Sequence, residues 1–436
     1  MKGYKVLVPL GLAVCLALSV YMLFSTRMET AKEYDNCLKD ARYYAELNIG
    51  VDALKNYNKA LDINPTVDIY LEVGNFLLKV KDQQAAVAWG EKMVEKFPDD
   101  ASAYEYLLSR YRENNDFHRC YALYNTIVKR EVSTQAIETI MNDIRYVFYL
   151  GEAYDEVSVY SHGYCAVRYE EKWGLVNETG RRVTPFEFKE IGPFFDDLAP
   201  VCSQAGERFF IDNKGNKKFV AQVDGKVEKL TSVVDNVFAV YDGTVWNFYT
   251  REFEKLGGGY SDISLMANGV VGVKQNSQWT VLNHRLESTT GKSYVDLVQD
   301  DRGIIYRNGI MFVNQDGGYY MVDINGQTIT NEKFLNAKLF MDNTYAAVET
   351  ANGWTFVDAT GKKVFENLYF DDARSFVNGF AAVQKFGKWG YIDMNGEVVI
   401  DYQFREVRDF NTRGCAFVQY EDIWEMLMLY SKNYDV

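Results

Sequence analysis

Between residues 29 and 150 apolar residues recur at intervals of three and four, as in Ala53, Tyr57, Ala60 and Leu61, which is the period of an amphipathic helix. Asp62-Ile63-Asn64-Pro65 and Phe97-Pro98-Asp99-Asp100 break the pattern, so several helices are predicted, the last over about 134–149. From residue 151 the pattern changes to short runs of strand formers separated by turn residues. Phe380-Ala381-Ala382-Val383-Gln384 reads as a strand, Gly387-Lys388 as a tight turn and Trp389 to Asp393 as a second strand. Asp393-Met394-Asn395-Gly396 then makes a hairpin loop, and Val398-Val399-Ile400 returns as a third strand. Before all of this, residues 6–24 form an uncharged apolar run of 19 residues between Lys5 and Arg27. As a helix it would span roughly 28 Å, a bilayer core, and its length favours an uncleaved anchor over a cleaved signal peptide.

The β pattern repeats. Its tryptophan position falls at Trp173, Arg208, Trp246, Trp279, Tyr319, Trp354, Trp389 and Trp424, separated by 35, 38, 33, 40, 35, 35 and 35 residues. So regular a period predicts a repeat architecture of eight copies. The segment Lys388-Trp389-Gly390-Tyr391-Ile392-Asp393 with its Asn-Gly turn resembles the WG-repeat family of bacterial proteins, most closely in the first, sixth and seventh copies. Copies two to five drift, and the Asn-Gly turn is lost after Trp246 and Trp279. In the helical segment, Pro65 and Pro98 lie 33 residues apart, and Ala41, Ala53, Tyr57, Ala60 and Pro65 resemble the tetratricopeptide pattern. A second unit keeps Gly74, Ala86 and Pro98, and a third keeps Tyr104, Leu107, Cys120 and Tyr124.

Composition narrows the function. Aromatic residues make up 15% of the chain and there are only 6 prolines, which suits sheets. A net charge of −14 without a basic stripe argues against nucleic acid as a partner. Six scattered cysteines with no CxxC pair read as small buried core residues, and Cys15 after Leu12-Ala13-Val14 is a poor lipidation site. Asp212-Asn213-Lys214-Gly215, Asp323 to Gly326 and Asp393 to Gly396 begin like calcium loops but lack the closing ligands, so they read as turns. Gly291-Lys292-Ser293 lacks the rest of a phosphate loop, and His118, His162 and His284 lie on separate units, so neither a zinc site nor a histidine base is expected. A carboxylate pair of glycosidase type remains open by inventory, with 61 Asp and Glu. The repeated tryptophan reads as core packing rather than as a sugar platform.

The expected fold class is therefore α plus all-β and multidomain. A transmembrane segment within 1–28 precedes tetratricopeptide-like helical repeats at 29–150, and a β-repeat domain of about eight copies follows at 151–436, propeller-like or, alternatively, an open solenoid. The last copy stops before its third strand, so the ends of the β domain are expected to meet and close it. The lysines before the apolar run place the bulk of a single-pass inner-membrane protein on the outer side. The expected function is a non-enzymatic, membrane-anchored interaction scaffold of the cell envelope, without cofactor or metal, whose partner is a protein or peptide. The alternatives are a polysaccharide-binding protein and a carboxylate-dependent glycosidase or lyase. The tetratricopeptide resemblance implies a partner groove at Arg42, Asn75, Lys79, Ser109 and Arg112. The repeat signature, Trp173, Trp246, Trp279, Tyr319, Trp354, Trp389 and Trp424, is structural.

Overall fold

The computed structural model describes residues 4–433, with side chains from residue 16. The chain divides into two compact units with the boundary between Arg145 and Tyr146. The first is helical: α1 (Tyr4–Glu46), α2 (Gly50–Ile63), α3 (Val67–Lys79), α4 (Gln83–Lys96), α5 (Ala101–Glu113), α6 (Phe117–Arg130) and α7 (Gln135–Asp143). Each of α3 to α7 starts at a residue whose side chain accepts a backbone N–H of the first turn: Thr66, Asp82, Asp100, Asp116 and Thr134. Such caps satisfy helix donors that have no partner within the helix. The expected breaks at Pro65 and Pro98 fall between α2 and α3 and between α4 and α5. The first core joins Ala41, Ala53, Ala60 and Ala86, all fully buried, to Tyr57, Val73 and Phe76, the alanines allowing close helix approach.

The apolar run at the amino end needs correction. It belongs to α1, which continues without a break into the charged residues 27–46. Among the described residues no helix is long and apolar enough to cross a membrane. The transmembrane part of the expected fold class, and with it the single-pass inner-membrane placement, is set aside on this finding. On length and composition the apolar run reads as a separate spanning element, whereas the helix that carries it runs on through Arg27, Glu29, Lys32 and Glu33. Lys2, Lys5 and Cys15, on which the orientation and lipidation readings turned, lie outside the described side chains.

The second unit, Tyr146–Asn433, is built of antiparallel strands in seven sheets of three to seven strands. Hydrogen bonding is not continuous from sheet to sheet, so the described strands form no closed barrel. The eight copies are nonetheless visible, because the seven-stranded sheet joins the first two through Phe188–Ile191 and each remaining sheet holds one copy. The copies follow the order expected from Phe380 onward, except that in the fifth and sixth the third strand is reduced to isolated bridges, such as Val322 to Thr328 and Val357 to Lys363. In the seventh, Asp372–Ala373 pairs with Phe380–Lys385, which pairs with Lys388–Asp393, which pairs with Val398–Phe404. The last copy takes its outer strand from the start of the unit: Phe148–Tyr154 lies antiparallel to Ile423–Leu429, with Phe148 opposite Leu429 and Tyr154 opposite Trp424. That pairing is why the helix expected to run to Tyr149 stops at Asp143: Phe148 and Tyr149 are strand residues, held against Leu429 and Met428.

Candidate functional site

On the helical unit, the end of α1, the middle of α2 and the outer face of α3 surround an open concavity of about 430 Å³. Glu72, Asn75 and Lys79 follow one another at three and four residues and so share a face of α3. Glu72 accepts two hydrogen bonds from Arg42 of α1, from Nε at 3.0 Å and from the terminal nitrogen at 2.6 Å. The Tyr57 hydroxyl donates to the same carboxylate at 3.4 Å, and burial together with Glu72 pushes its pKa up to about 12. Lys79 donates to the carbonyl of Ala45 at 3.2 Å, near the negative end of the α1 dipole. Three of the five expected groove residues, Arg42, Asn75 and Lys79, therefore line one concavity, together with Glu72 and Tyr57. Ser109 and Arg112 lie elsewhere, on α5. The Ser109 hydroxyl donates to the Glu105 carbonyl at 2.8 Å, and Arg112 pairs with Asp143 of α7 at 3.3 Å. Sequence reasoning passed over Glu72, although its spacing from Asn75 and Lys79 marks it as a neighbour.

In the β unit the signature residues face aromatic partners across the ladder. Trp173 stands opposite Phe188, Trp246 opposite Tyr260, Trp279 opposite Tyr294, Trp389 opposite Phe404 and Trp424 opposite Tyr154. Tyr319 bridges to Phe334 and Trp354 to Phe370 in the same way. These are cross-strand aromatic pairs, a packing role. Arg208 of the second copy has no such partner and pairs with Glu190 at 2.7 Å.

A second site was not legible residue by residue. Each copy opens on a short linking strand, such as Glu156–Val157, Asp372–Ala373 or Glu406–Val407, and the loops after these strands converge with the segment 300–305, an insertion marked in the sequence by the 40-residue spacing from Trp279 to Tyr319. Asp300 folds this segment into a turn by accepting the backbone N–H of Arg302 at 2.9 Å and of Ile304 at 3.0 Å. Ile304 packs with Phe195, Val234, Leu265 and Ala267 of the second, third and fourth copies. Asp301 turns the other way and pairs with Arg374, whose Nε also donates to Asp409 at 2.6 Å. One guanidinium thus joins two carboxylates from the fifth and eighth copies. Burial opposes ionisation here, yet Arg374 holds Asp301 below the usual carboxylate range. Asp301 and Asp409 also line a cavity of about 180 Å³ with Arg302, Arg307, Arg408 and Tyr160.

The WG containing repeat matches the chain at residues 153–173, 173–204, 354–389 and 389–424, so the β unit carries WG-containing repeats. These stretches fall in the copies where the resemblance was read most clearly, and they extend into the second and eighth. No curated protein sequence matches the chain. Among solved structures, the chain is similar to BamB from Moraxella catarrhalis at 11% identity and a TM-score of 0.41, over 65% of this chain and 98% of that one. A eukaryotic initiation factor matches at 12% identity and a TM-score of 0.44, over 64% and 86%. Hsv2p of Kluyveromyces lactis matches at 12% identity and a TM-score of 0.37, over 64% and 97%.

Proposed function

We propose that this repeat protein is a non-enzymatic interaction scaffold that holds an extended peptide segment of a protein partner along the helical unit. The observation that carries the reading is the concavity lined by Arg42, Asn75 and Lys79. Its polar side chains take no part in the helical core, and Lys79 uses one of three donors on Ala45. The lysine and Asn75 offer a partner carboxylate both charge and hydrogen bonds, while the Arg42–Glu72 pair presents a fixed donor and acceptor beside them. The consecutive pairing of α1 to α6 and the packing of α3 on α5 and α5 on α7 support a tetratricopeptide-like solenoid, a type of surface that binds along its concave side.

The test is affinity recovery of the partner by the full chain carrying Arg42→Glu and Lys79→Glu. Recovery is expected to be lost, with thermal unfolding nearly unchanged, because the Arg42–Glu72 pair is solvent-exposed and worth about 0–1 kcal/mol. Undiminished recovery would move the partner site to the β unit.

A carboxylate-dependent glycosidase or lyase is the second reading, favoured by Asp301 and Asp409 facing one cavity beside arginines and a tyrosine. Such chemistry needs a carboxyl held protonated to act as general acid. Arg374 bonds to both members of this pair and holds Asp301 below the usual carboxylate range, which weighs against that role.

A further inference from the structure

The loops of the β unit are not equivalent. At the position directly after each linking strand stand Ser158, Gly192, Thr231 and Ser264 in the first four copies and Val298 in the fifth, but Lys338, Arg374 and Arg408 in the last three. The hydroxyls of Ser158, Thr231 and Ser264 accept backbone N–H groups from Ala166, Ala239 and Gly272, so they brace their own sheets. The cations do not repeat that bond. Arg374 is satisfied by Asp301 and Asp409, whereas Arg408 has no carboxylate within ion-pairing distance among the described residues. Its terminal nitrogens reach only the carbonyls of Val407 at 3.3 Å and Val157 at 3.5 Å, and its Nε is buried without a partner.

Arg307 is only partly satisfied: a terminal nitrogen donates to the Met341 carbonyl at 3.2 Å, and Asp300 stands within ion-pairing distance. Its Nε lies 3.5 Å from Asp300 without making a hydrogen bond, because that carboxylate oxygen already accepts Nε and a terminal nitrogen of Arg302 at 3.1 and 2.8 Å. A third buried group is unpartnered beside them, the hydroxyl of Tyr160. Asn411 stands near it, but its amide donates to the Glu178 carbonyl at 2.7 Å and accepts from the backbones of Arg413 and Cys415, both at 3.0 Å. Arg307, Arg408 and Tyr160 all line the one cavity of about 180 Å³. The carboxylates on the same wall are engaged, Asp301 and Asp409 by Arg374 and Glu178 by the Thr412 hydroxyl at 2.9 Å.

Buried donors normally have partners, and two guanidinium groups with a phenol are donors suited to a multiply charged oxygen ligand. We propose that this cavity binds a small oxyanion, a phosphate or a carboxylate group, held by Arg307, Arg408 and Tyr160. The space is several times the roughly 30 Å³ of a water molecule, so a phosphate or a short dicarboxylate fits. Burial, with Arg374 near Arg408 and Arg302 near Arg307, lowers both guanidinium pKa values, while Asp301 and Glu406 act against it at Arg408 and Asp300 at Arg307. The structural explanation of Arg408 is its stacking over Trp424, 4.4 Å from the ring centre, and the two explanations differ in what they predict. The proposal rests on no part of the helical groove.

The test measures thermal unfolding and isothermal titration of the full chain with inorganic phosphate and, separately, with succinate, against sodium chloride at matched ionic strength. A saturable stabilisation by phosphate or by succinate is expected, and which of the two binds names the anion. Arg307→Gln and Arg408→Gln should each weaken that binding about tenfold or more, as loss of a charge-assisted hydrogen bond does. Without the anion, Arg408→Gln should unfold at the wild-type temperature or above it, since removing an unpaired buried charge is not costly. If Arg408 only props Trp424, the variant loses stability equally with and without the anion. Should Arg408→Gln fail to fold, Tyr160→Phe keeps the stack on Phe417 and deletes the hydroxyl alone, and it should still weaken binding. No saturable effect of either anion on the wild type, an effect equal to that of chloride, or unchanged binding in Arg307→Gln and Tyr160→Phe overturns the proposal.

Discussion

The clearest lessons at the scale of the residue come from the loops that begin with Asp or Asn. In the first, second, fourth, fifth, sixth and seventh copies that side chain, Asn177, Asp212, Asn283, Asp323, Asp358 or Asp393, accepts the backbone N–H groups two and four residues on. The resemblance to calcium loops thus has a local explanation, since these oxygens are spent on their own turns. In the third and fourth copies, where the Asn-Gly pattern is lost, the turn keeps its left-handed residue as Phe253 at φ 69° and Leu286 at φ 60°. The conformation outlives the glycine that made it legible. The glycine after the tryptophan is held for another reason: a Cβ on Gly390 would meet the Ile400 carbonyl oxygen at 2.5 Å, so the third strand approaches only a bare backbone. A pH prediction follows from Asp358. Burial raises its pKa, but the hydroxyl and N–H of Thr360 and the N–H of Lys362 outweigh it, and the value falls below the usual 3.8. A carboxyl with a lowered folded pKa contributes stability fully present above the unfolded value, and this is lost as pH falls through the folded one. Asp358→Asn, which keeps the turn as Asn177 and Asn283 do, should leave neutral stability nearly unchanged and flatten the acid decline below about pH 4. Thermal midpoints followed into acid check this; parallel acid declines in both proteins contradict it.

At the scale of the element, what could be read was set by periodicity. Helix pairs repeat their small residues at close contacts, which is why Ala41, Ala53, Ala60 and Gly74 were visible, the last because a Cβ there would lie 2.6 Å from the Tyr106 ring. Ends were less legible. Phe148 and Tyr149 continue an apolar pattern that suits a helix, and only pairing with strand residues nearly 280 positions later makes them a strand. Local propensity carries no knowledge of such a partner. The four cysteines Cys120, Cys165, Cys202 and Cys415 are buried, as their spacing suggested, while Cys37 is half-buried. One hairpin carries a residue that its turn geometry does not favour. Phe386 and Gly387 connect two strands with φ of 54° and 71°, a geometry that prefers Asn-Gly, and the Phe386 side chain is 89% exposed. Phe386→Asn should therefore preserve the fold and raise stability by about 1 kcal/mol through relief of the left-handed conformation. A lower unfolding midpoint in that variant would show that the exposed ring has a contact of its own to lose.

At the scale of the whole molecule, the order of a helical region followed by β repeats was legible because each part has its own period, and a period survives the drift of single copies. Two features were not. An apolar run announces a membrane span by composition alone, while the described residues contain no helix that meets the length and apolarity required. The insertion 300–305 breaks the period, and its contacts reach copies on both sides, from Leu265 to Arg374, so no single copy contains its meaning. Long-range pairing also decides how the β unit ends. Trp424, Met426 and Met428 share one core with Tyr154 and Cys165, and the strand Phe148–Tyr154 covers the edge of Ile423–Leu429. An uncovered apolar edge is a template for pairing with another chain. A chain beginning at Tyr146 should accordingly unfold cooperatively as a monomer, because every strand of the last sheet is present. One beginning at Asp155 lacks the covering strand and should self-associate, with a lower unfolding midpoint. Size-exclusion chromatography beside thermal unfolding separates the two. Equal monomeric behaviour would mean that the first seven copies hold the eighth in place without the strand that completes it.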